Sequence, residues 1–170
     1  MNIFVLHEDP VKAAQDQCDK HVVKMVLESA QMLSTAHRIL DGDNVIDESF
    51  YKIAHKGHPC TKWVMESVAN YQWLYDHFIG LCDEYTYRYG KTHLCDTKFR
   101  DILLFSPNNI PIEERTPFAL AMSAFPQFMD HNDPVTSYRR YYGTKADNFN
   151  LLWTKREIPD WYFREYTGAF

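Results

Sequence analysis

The sequence predicts a mostly α-helical fold, a compact single-domain helical bundle with long central helices and a short extended segment at the N-terminus. Three observations favour it. Apolar residues recur at steps of three and four over two long stretches, as in amphipathic helices. A capping residue followed by proline precedes three helical stretches, at Asp9, His58 and Asp133. The 170 residues are 45% hydrophobic, enough to bury a core, so we expect one domain over residues 1–170.

The first elements follow from local signals near the N-terminus. Residues 1–6 alternate weakly between apolar and polar side chains, which predicts a buried extended segment or strand. Asp9 is suited to cap a short helix that runs to Gln17. The chain then continues, with or without a kink, into a long helix that ends near Leu40, because the Asp-Gly-Asp-Asn sequence of residues 41–44 is a stop signal.

The middle of the chain predicts a connection and a second long helical region. Residues 41–58 form the connection, with one small element expected around residues 50–54. The pattern is helical from Cys60 to Tyr89 and allows a break near residues 67–70. Gly90 is a natural residue to end this helix.

The C-terminal part predicts shorter elements. Asp96 is placed to cap a helix over residues 97–105, and the prolines that follow predict an irregular stretch. Asp133 opens another helix that ends near Gly143. The aromatic tail at residues 158–162 is expected to dock on the body of the protein.

Charge and cysteine usage narrow the function classes. The net charge of −5 argues against broad binding of duplex nucleic acid, although a local basic stripe is compatible with it. The 4 cysteines contain no C-x-x-C pair, which predicts reduced thiols in a cytoplasmic protein. We also expect no membrane partner, since no signal peptide and no apolar run of spanning length is apparent.

The long helix carries one narrow polar stripe on an otherwise apolar surface. At about 100° per residue, Val22, Val23, Met25, Val26 and Leu27 belong to the wide apolar surface, which predicts a mostly buried helix. The stripe either faces solvent or forms one wall of a site. Its members include Gln17, Lys20, His21, Lys24, Glu28, Gln31, Thr35 and Arg38.

Lys20, Lys24 and Glu28 are spaced four residues apart and therefore share a helix face. A lysine that lies beside another cation and is shielded from water becomes a better nucleophile, and a nearby carboxylate can shuttle a proton. The alternative is an ordinary ion pair at the helix surface.

Two further clusters have a candidate role. His58 is expected to cap a helix or to line a cleft, and we predict no metal site there because zinc needs four ligands at known spacings. Arg139 and Arg140 lie between tyrosines, which suits phosphate contact and base stacking or simply a solvated helix face. No cofactor-binding, nucleotide-binding or triad motif is present, so no cofactor is predicted.

Several groups of residues, in order along the chain, resemble the pattern of the pyrimidine-dimer DNA glycosylase family, and the chain also resembles small proteins carried by tailed phages. The resemblance rests on Asp19-Lys20-His21, Lys24, Glu28, Gln31, Gly57-His58-Pro59, Trp63, Glu84-Tyr85, Arg88-Tyr89-Gly90 and Pro159-Asp160-Trp161-Tyr162.

The resemblance implies a compact helical fold and a specific chemistry. In that family the α-amino group of the N-terminus attacks the sugar and forms an imine, assisted by a glutamate that matches Glu28. His58 falls where the family has a histidine beside the substrate. We therefore expect catalytic roles among Met1, Lys20, Lys24, Glu28 and His58. The expected substrate-binding residues are His21, Gln31, Arg139, Arg140 and Trp161.

Asn2 follows Met1, and so large a second residue predicts that Met1 is retained. The nucleophile is then the amine of Met1, Lys20 or Lys24. The leading hypothesis is an enzyme that acts at the N-glycosidic bond of DNA or a nucleotide, in the cytoplasm or host cytoplasm. One alternative is a non-catalytic phage accessory protein that binds a nucleotide or a host protein. Another is an enzyme that modifies phage DNA bases. The sequence leaves the oligomeric state open.

Overall fold

The computed structural model describes residues 1–44 and 48–166, with side chains to residue 163, and it confirms a compact, mostly helical fold. Within these residues there is no β-strand, and no helix is long and apolar enough to cross a membrane. This described part of the chain forms seven α-helices: α1 (Pro10–Gln15), α2 (Asp19–Asp41), α3 (Pro59–Glu66), α4 (Val68–Tyr89), α5 (Leu94–Phe99), α6 (Pro134–Gly143) and α7 (Asp160–Tyr166).

The core forms where α4 packs against both α1 and α2. Large rings such as Trp63, Tyr71 and Phe78 are fully buried there. Gly80 permits the close approach of α4 to α1, because a Cβ atom at this position would lie 3.1 Å from the Cβ of Ala14. The extended residues 1–6 lie against this core, and Ile3 to Leu6 are buried.

Most of the predicted helix boundaries are confirmed. Asp9 and Asp133 accept hydrogen bonds from backbone N–H groups in the first turns of α1 and α6. Ser67 adopts an extended conformation, which separates α3 from α4, and its hydroxyl caps α4 at Asn70. Gly90 ends α4 with a φ of 65°, a conformation that glycine adopts without strain. The tail docks as α7, where Trp161 is buried.

Two predicted elements are wrong. Residues 50–54 form neither helix nor strand; Arg38 donates hydrogen bonds to the Phe50 and Tyr51 carbonyls, so side chains satisfy this backbone. The helix predicted over residues 97–105 instead begins at Leu94, because the ring of His93 caps it by accepting a hydrogen bond from Cys95 N–H.

The prediction of a mostly buried α2 is confirmed, although two of the residues assigned to its apolar surface are exposed. Val23 and Leu27 are 39% and 38% exposed, so the solvent-facing surface of α2 includes apolar side chains beside the polar stripe. The sequence pattern placed them on the apolar surface, but no element of the described chain covers them fully.

The ion pairs of Arg88 connect three distant parts of the chain. Its buried guanidinium donates to Glu84 on α4 at 2.8 Å and to Asp19 at the start of α2 at 3.0 Å. It also donates to the carbonyls of Gln15 and Gln17, in the break between α1 and α2. Arg156 pairs with the same Glu84 and brings in the C-terminal region. Arg88 therefore satisfies the backbone of the break and fixes where α2 begins.

We expect Arg88→Met to lower the free energy of unfolding by about 3–5 kcal/mol, because it leaves buried carboxylate and carbonyl groups without their donor. The matched control is Arg115→Met, which removes a partly exposed pair with Glu8 and is expected to cost about 0–1 kcal/mol. Urea unfolding followed by circular dichroism measures both. Equal losses for the two variants would contradict the role given to Arg88.

Candidate active site

The first two residues are anchored against α2 by the buried Asn2, which is 4% exposed. Its backbone N–H donates to Oε2 of Glu28 at 3.1 Å. Its side-chain amide donates to the carbonyl of Ala121 at 2.9 Å, and its Oδ1 accepts from the N–H groups of Ile3 and Phe4. This one side chain thus fixes both the course of the N-terminal segment and its distance from Glu28.

Two amines approach the same carboxylate. The amino group of Met1 lies 3.7 Å from Oε2 of Glu28, and Nζ of Lys24 lies 3.4 Å from Oε1. The side chain of Glu28 is only 10% exposed, whereas that of Lys24 is 60% exposed. The buried partner of Glu28 is therefore the chain terminus, and Lys24 covers the carboxylate from the solvent side.

His58 connects this pair to a cavity of about 240 Å³. Its Nδ1 accepts a hydrogen bond from Cys60 N–H, and the ring lies close to the backbone of Met1. Burial lowers the pKa of His58, and the positive charge of the amino terminus lowers it further, so the ring is neutral at pH 7. The cavity is lined by His58, Pro59, Leu120, Ala121, Met122, Ser123, Ala124 and Tyr141.

His21 lies one helical turn before Lys24 and is buried among aromatic rings. Its ring stacks on Phe4 at a centroid distance of 4.7 Å, and its Nδ1 lies 2.7 Å from the hydroxyl of Tyr142. Burial lowers the pKa of His21 to about 3, with smaller contributions from nearby lysines. His21 is therefore a neutral side chain that joins α2 to α6.

The structure separates the other predicted site residues from Glu28. Nζ of Lys20 lies over the ring of Phe149, at 4.2 Å from its centroid. Arg139 donates from Nε to the carbonyl of Leu6, and Trp161 donates from Nε1 to Asp16. These contacts hold the folded body together, and the substrate-binding roles expected of Arg139 and Trp161 stay predictions.

Two residues lie at the edges of the site. Gln31 is half-buried, and three residues along the helix from Glu28 it shares the same face of α2. Arg140 is exposed on α6, next to the cavity residue Tyr141. The proposed binding roles of both stay predictions. The structure thus brings together Met1, Lys24, Glu28 and His58 from the predicted catalytic set.

Sequence reasoning missed the residues that complete the site from distant positions along the chain. Asn2 served only to predict that Met1 is retained, and its role as a buried anchor was not predicted. Residues 120–124 contain no chemical motif, yet they form one wall of the cavity. Tyr141 belongs to the aromatic run of α6 that the sequence analysis noted, and this run was the only signal that pointed toward the wall.

The described residues contain no group of three or more His, Cys, Asp or Glu side chains placed to hold a metal ion. In the segment around His58, the His58 ring caps α3 and Cys60 is fully buried. Burial raises the pKa of the Cys60 thiol to about 12, so this sulfur is held as a protonated core side chain.

The family model for pyrimidine dimer DNA glycosylases matches residues 1–97, more than half of the chain. The chain therefore belongs to the pyrimidine dimer DNA glycosylase family, and the resemblance noted from the sequence is confirmed. No curated protein and no solved structure matches it. The matched region contains Met1, Lys24, Glu28 and His58, whereas residues 120–124 and Tyr141 lie beyond it.

The pKa of His21 predicts a pH dependence of stability. Its folded pKa of about 3 lies below the ordinary value of 6.5, so the unfolded chain binds this proton more tightly. The stabilisation is complete above pH 6.5 and is lost as the pH falls toward 3. Between pH 7 and pH 5 we expect this one group to lower the free energy of unfolding by about 2 kcal/mol.

Urea unfolding at pH 7 and pH 5 tests this expectation. The free energy of unfolding at pH 7 minus that at pH 5 should be smaller by about 2 kcal/mol in His21→Gln than in the unsubstituted protein. His77 and His37 are also buried, and they contribute equally to the pH dependence of stability in His21→Gln and in the unsubstituted protein. His131→Gln, at an exposed position, is the control and should retain the full difference. An unchanged difference in His21→Gln would show that His21 does not titrate as described.

Proposed function

We propose that this chain cleaves the N-glycosidic bond of damaged pyrimidine nucleotides in DNA, with the α-amino group of Met1 as nucleophile and Glu28 as the proton-transfer group. The observation that carries the proposal is the 3.7 Å contact between this amino group and the buried carboxylate of Glu28. The family membership of residues 1–97 supports the reaction class.

The proposed step begins when the neutral amine of Met1 attacks C1′ of the sugar. The bond between C1′ and the base nitrogen breaks, and the base leaves with the electron pair and takes a proton from solvent. Glu28 accepts a proton from the attached nitrogen and passes it to O4′ as the sugar ring opens. The nitrogen lone pair then completes an iminium bond to C1′, which is the covalent intermediate.

Met1 is favoured over Lys24 by position. The side chain of Met1 is 3% exposed, and its amino group lies 3.7 Å from Oε2 of the buried Glu28 carboxylate. Lys24 is mostly exposed, and its pairing with Glu28 is at the solvent side. Lys24 is therefore assigned the role of covering the carboxylate.

The cavity beside His58 is proposed to receive part of the substrate nucleotide. At about 240 Å³ it is smaller than the pockets of about 300–1,000 Å³ that enclose drug-sized ligands. This size favours a single base or sugar over a base pair, so the target nucleotide would leave the duplex stack. His58, Ser123 and Tyr141 supply the polar side chains of the lining.

Borohydride trapping tests the nucleophile. With duplex DNA that contains an abasic site, or with ultraviolet-irradiated duplex, we expect a covalent adduct on the peptide that begins at Met1. Intact mass and peptide mapping locate it. Lys24→Met should still form this adduct. An adduct confined to Lys24 or Lys20, or no adduct where a known glycosylase is trapped, would overturn the proposal.

The role of Glu28 requires a separate comparison. We expect Glu28→Gln to slow base release by about 10²–10⁴-fold, the range typical of a lost proton-transfer group. Glu113→Gln, at an exposed position distant in sequence, is the control and should retain the full rate. Circular dichroism checks that both variants fold. Full activity in a folded Glu28→Gln variant would favour a non-catalytic role for this site.

A further inference from the structure

Three lysines surround His21 although the chain as a whole carries a net charge of −5. Lys20 and Lys24 come from α2, and Lys145 comes from the short 3-10 helix that follows α6 (Thr144–Asp147). Nζ of Lys145 lies 5.9 Å from the centroid of Phe4, whose ring stacks on His21 at 4.7 Å. In agreement with this placement, the charges of all three lysines lower the pKa of His21. A local cationic surface therefore exists beside the candidate active site.

Aromatic rings hold two of these lysines in place. Nζ of Lys145 lies 2.9 Å from the hydroxyl of Tyr141 and 4.3 Å from the centroid of that ring. Nζ of Lys20 lies 4.2 Å from the centroid of Phe149, and Phe149 in turn packs edge-on against His21 at 5.6 Å. These contacts favour ordered ammonium groups over freely moving ones.

The charges of Lys20 and Lys145 are not neutralised by carboxylates of the described residues, since neither forms an ion pair there. Lys24 differs, because it pairs with Glu28. The buried His21 between them is neutral, so it supplies no further charge. Two held cations without a carboxylate partner are suited to bind an anion.

We propose that Lys20 and Lys145 bind a backbone phosphate of the DNA strand that carries the reacting nucleotide. This inference rests on the proposed function, because it takes DNA as the ligand. Tyr141 links the two parts of the site: its ring lines the cavity, and its hydroxyl holds Lys145. Lys20 lies eight residues before Glu28, a distance of about 12 Å along α2. A phosphate bound at Lys20 would therefore flank the reacting sugar.

This phosphate site is completed by residues outside the region that defines the family. Tyr141, Lys145 and Phe149 all follow residue 97, where the family match ends. Only Lys20 lies within it. The C-terminal part of the chain would thus supply strand binding, and it explains how an acidic protein can hold DNA through a few placed cations.

The salt dependence of DNA binding tests this inference without any catalytic step. The ligand is a duplex that contains a chemically reduced abasic site, which cannot form an imine, and fluorescence anisotropy gives the affinity over a range of salt concentrations. Each phosphate contact contributes about 0.9 to the slope of log affinity against log salt concentration. We expect Lys20→Met and Lys145→Met each to reduce the slope by up to this amount and to weaken binding.

Lys98→Met is the matched control, because Nζ of Lys98 also lies over rings, those of Tyr51 and Phe99, but on α5. Its slope should equal that of the unsubstituted protein. Slopes unchanged in both Lys20→Met and Lys145→Met would overturn the phosphate site, even if imine trapping succeeds. The same slope loss in all three variants would also overturn it, since the effect would then come from net charge alone.

Competition with free thymidine monophosphate distinguishes binding of a phosphate in the DNA strand from binding of the phosphate of a free nucleotide. We expect no displacement of the duplex at nucleotide concentrations far above that of the protein. Displacement that depends on Lys20 and Lys145, together with unchanged slopes for the duplex, would overturn the assignment to a DNA strand. If trapping fails but the slopes fall as expected, the phosphate site stands and the catalytic proposal fails.

Discussion

The buried carboxylate of Glu28 is the constraint on which the candidate site depends. A carboxylate removed from water needs hydrogen-bond donors and positive charge close by. The backbone of Asn2, the amino group of Met1 and the side chain of Lys24 supply them. The N-terminus is therefore held at one defined place on α2, as the nucleophilic role that we propose for its α-amine requires.

That arrangement relies on a second buried charge, the guanidinium of Arg88, which reaches the start of α2 from α4. Arg88 satisfies the carbonyl groups in the break between α1 and α2 and pairs with Asp19 and Glu84. It thus sets the position of α2 relative to α4, and with it the position of Glu28. Buried charges contribute little net stability, but the loss of one partner is costly, so both clusters specify geometry more than they add stability.

The site combines parts of the chain that differ in character. Residues 1–97, which match the family, provide the amine, the carboxylate and His58. The later residues provide the far wall of the cavity and, in our proposal, the cations for the DNA backbone. In that proposal, the division reconciles an acidic chain with a polyanionic substrate, because binding needs only a few cations placed beside the reacting nucleotide.

The sequence by itself determined the helical class, the capped helix starts at Asp9, His58 and Asp133, and the polar stripe that contains Glu28, because these depend on neighbours within a few residues. Short-range signals failed where distant groups satisfy the backbone, as Arg38 does for residues 50–54. Only the tertiary structure brought Asn2, Tyr141 and residues 120–124 together at the site of Glu28 and His58. Asn2 bonds to Glu28, 26 positions away, and to Ala121, 119 positions away, and no periodicity or motif encodes contacts over such separations.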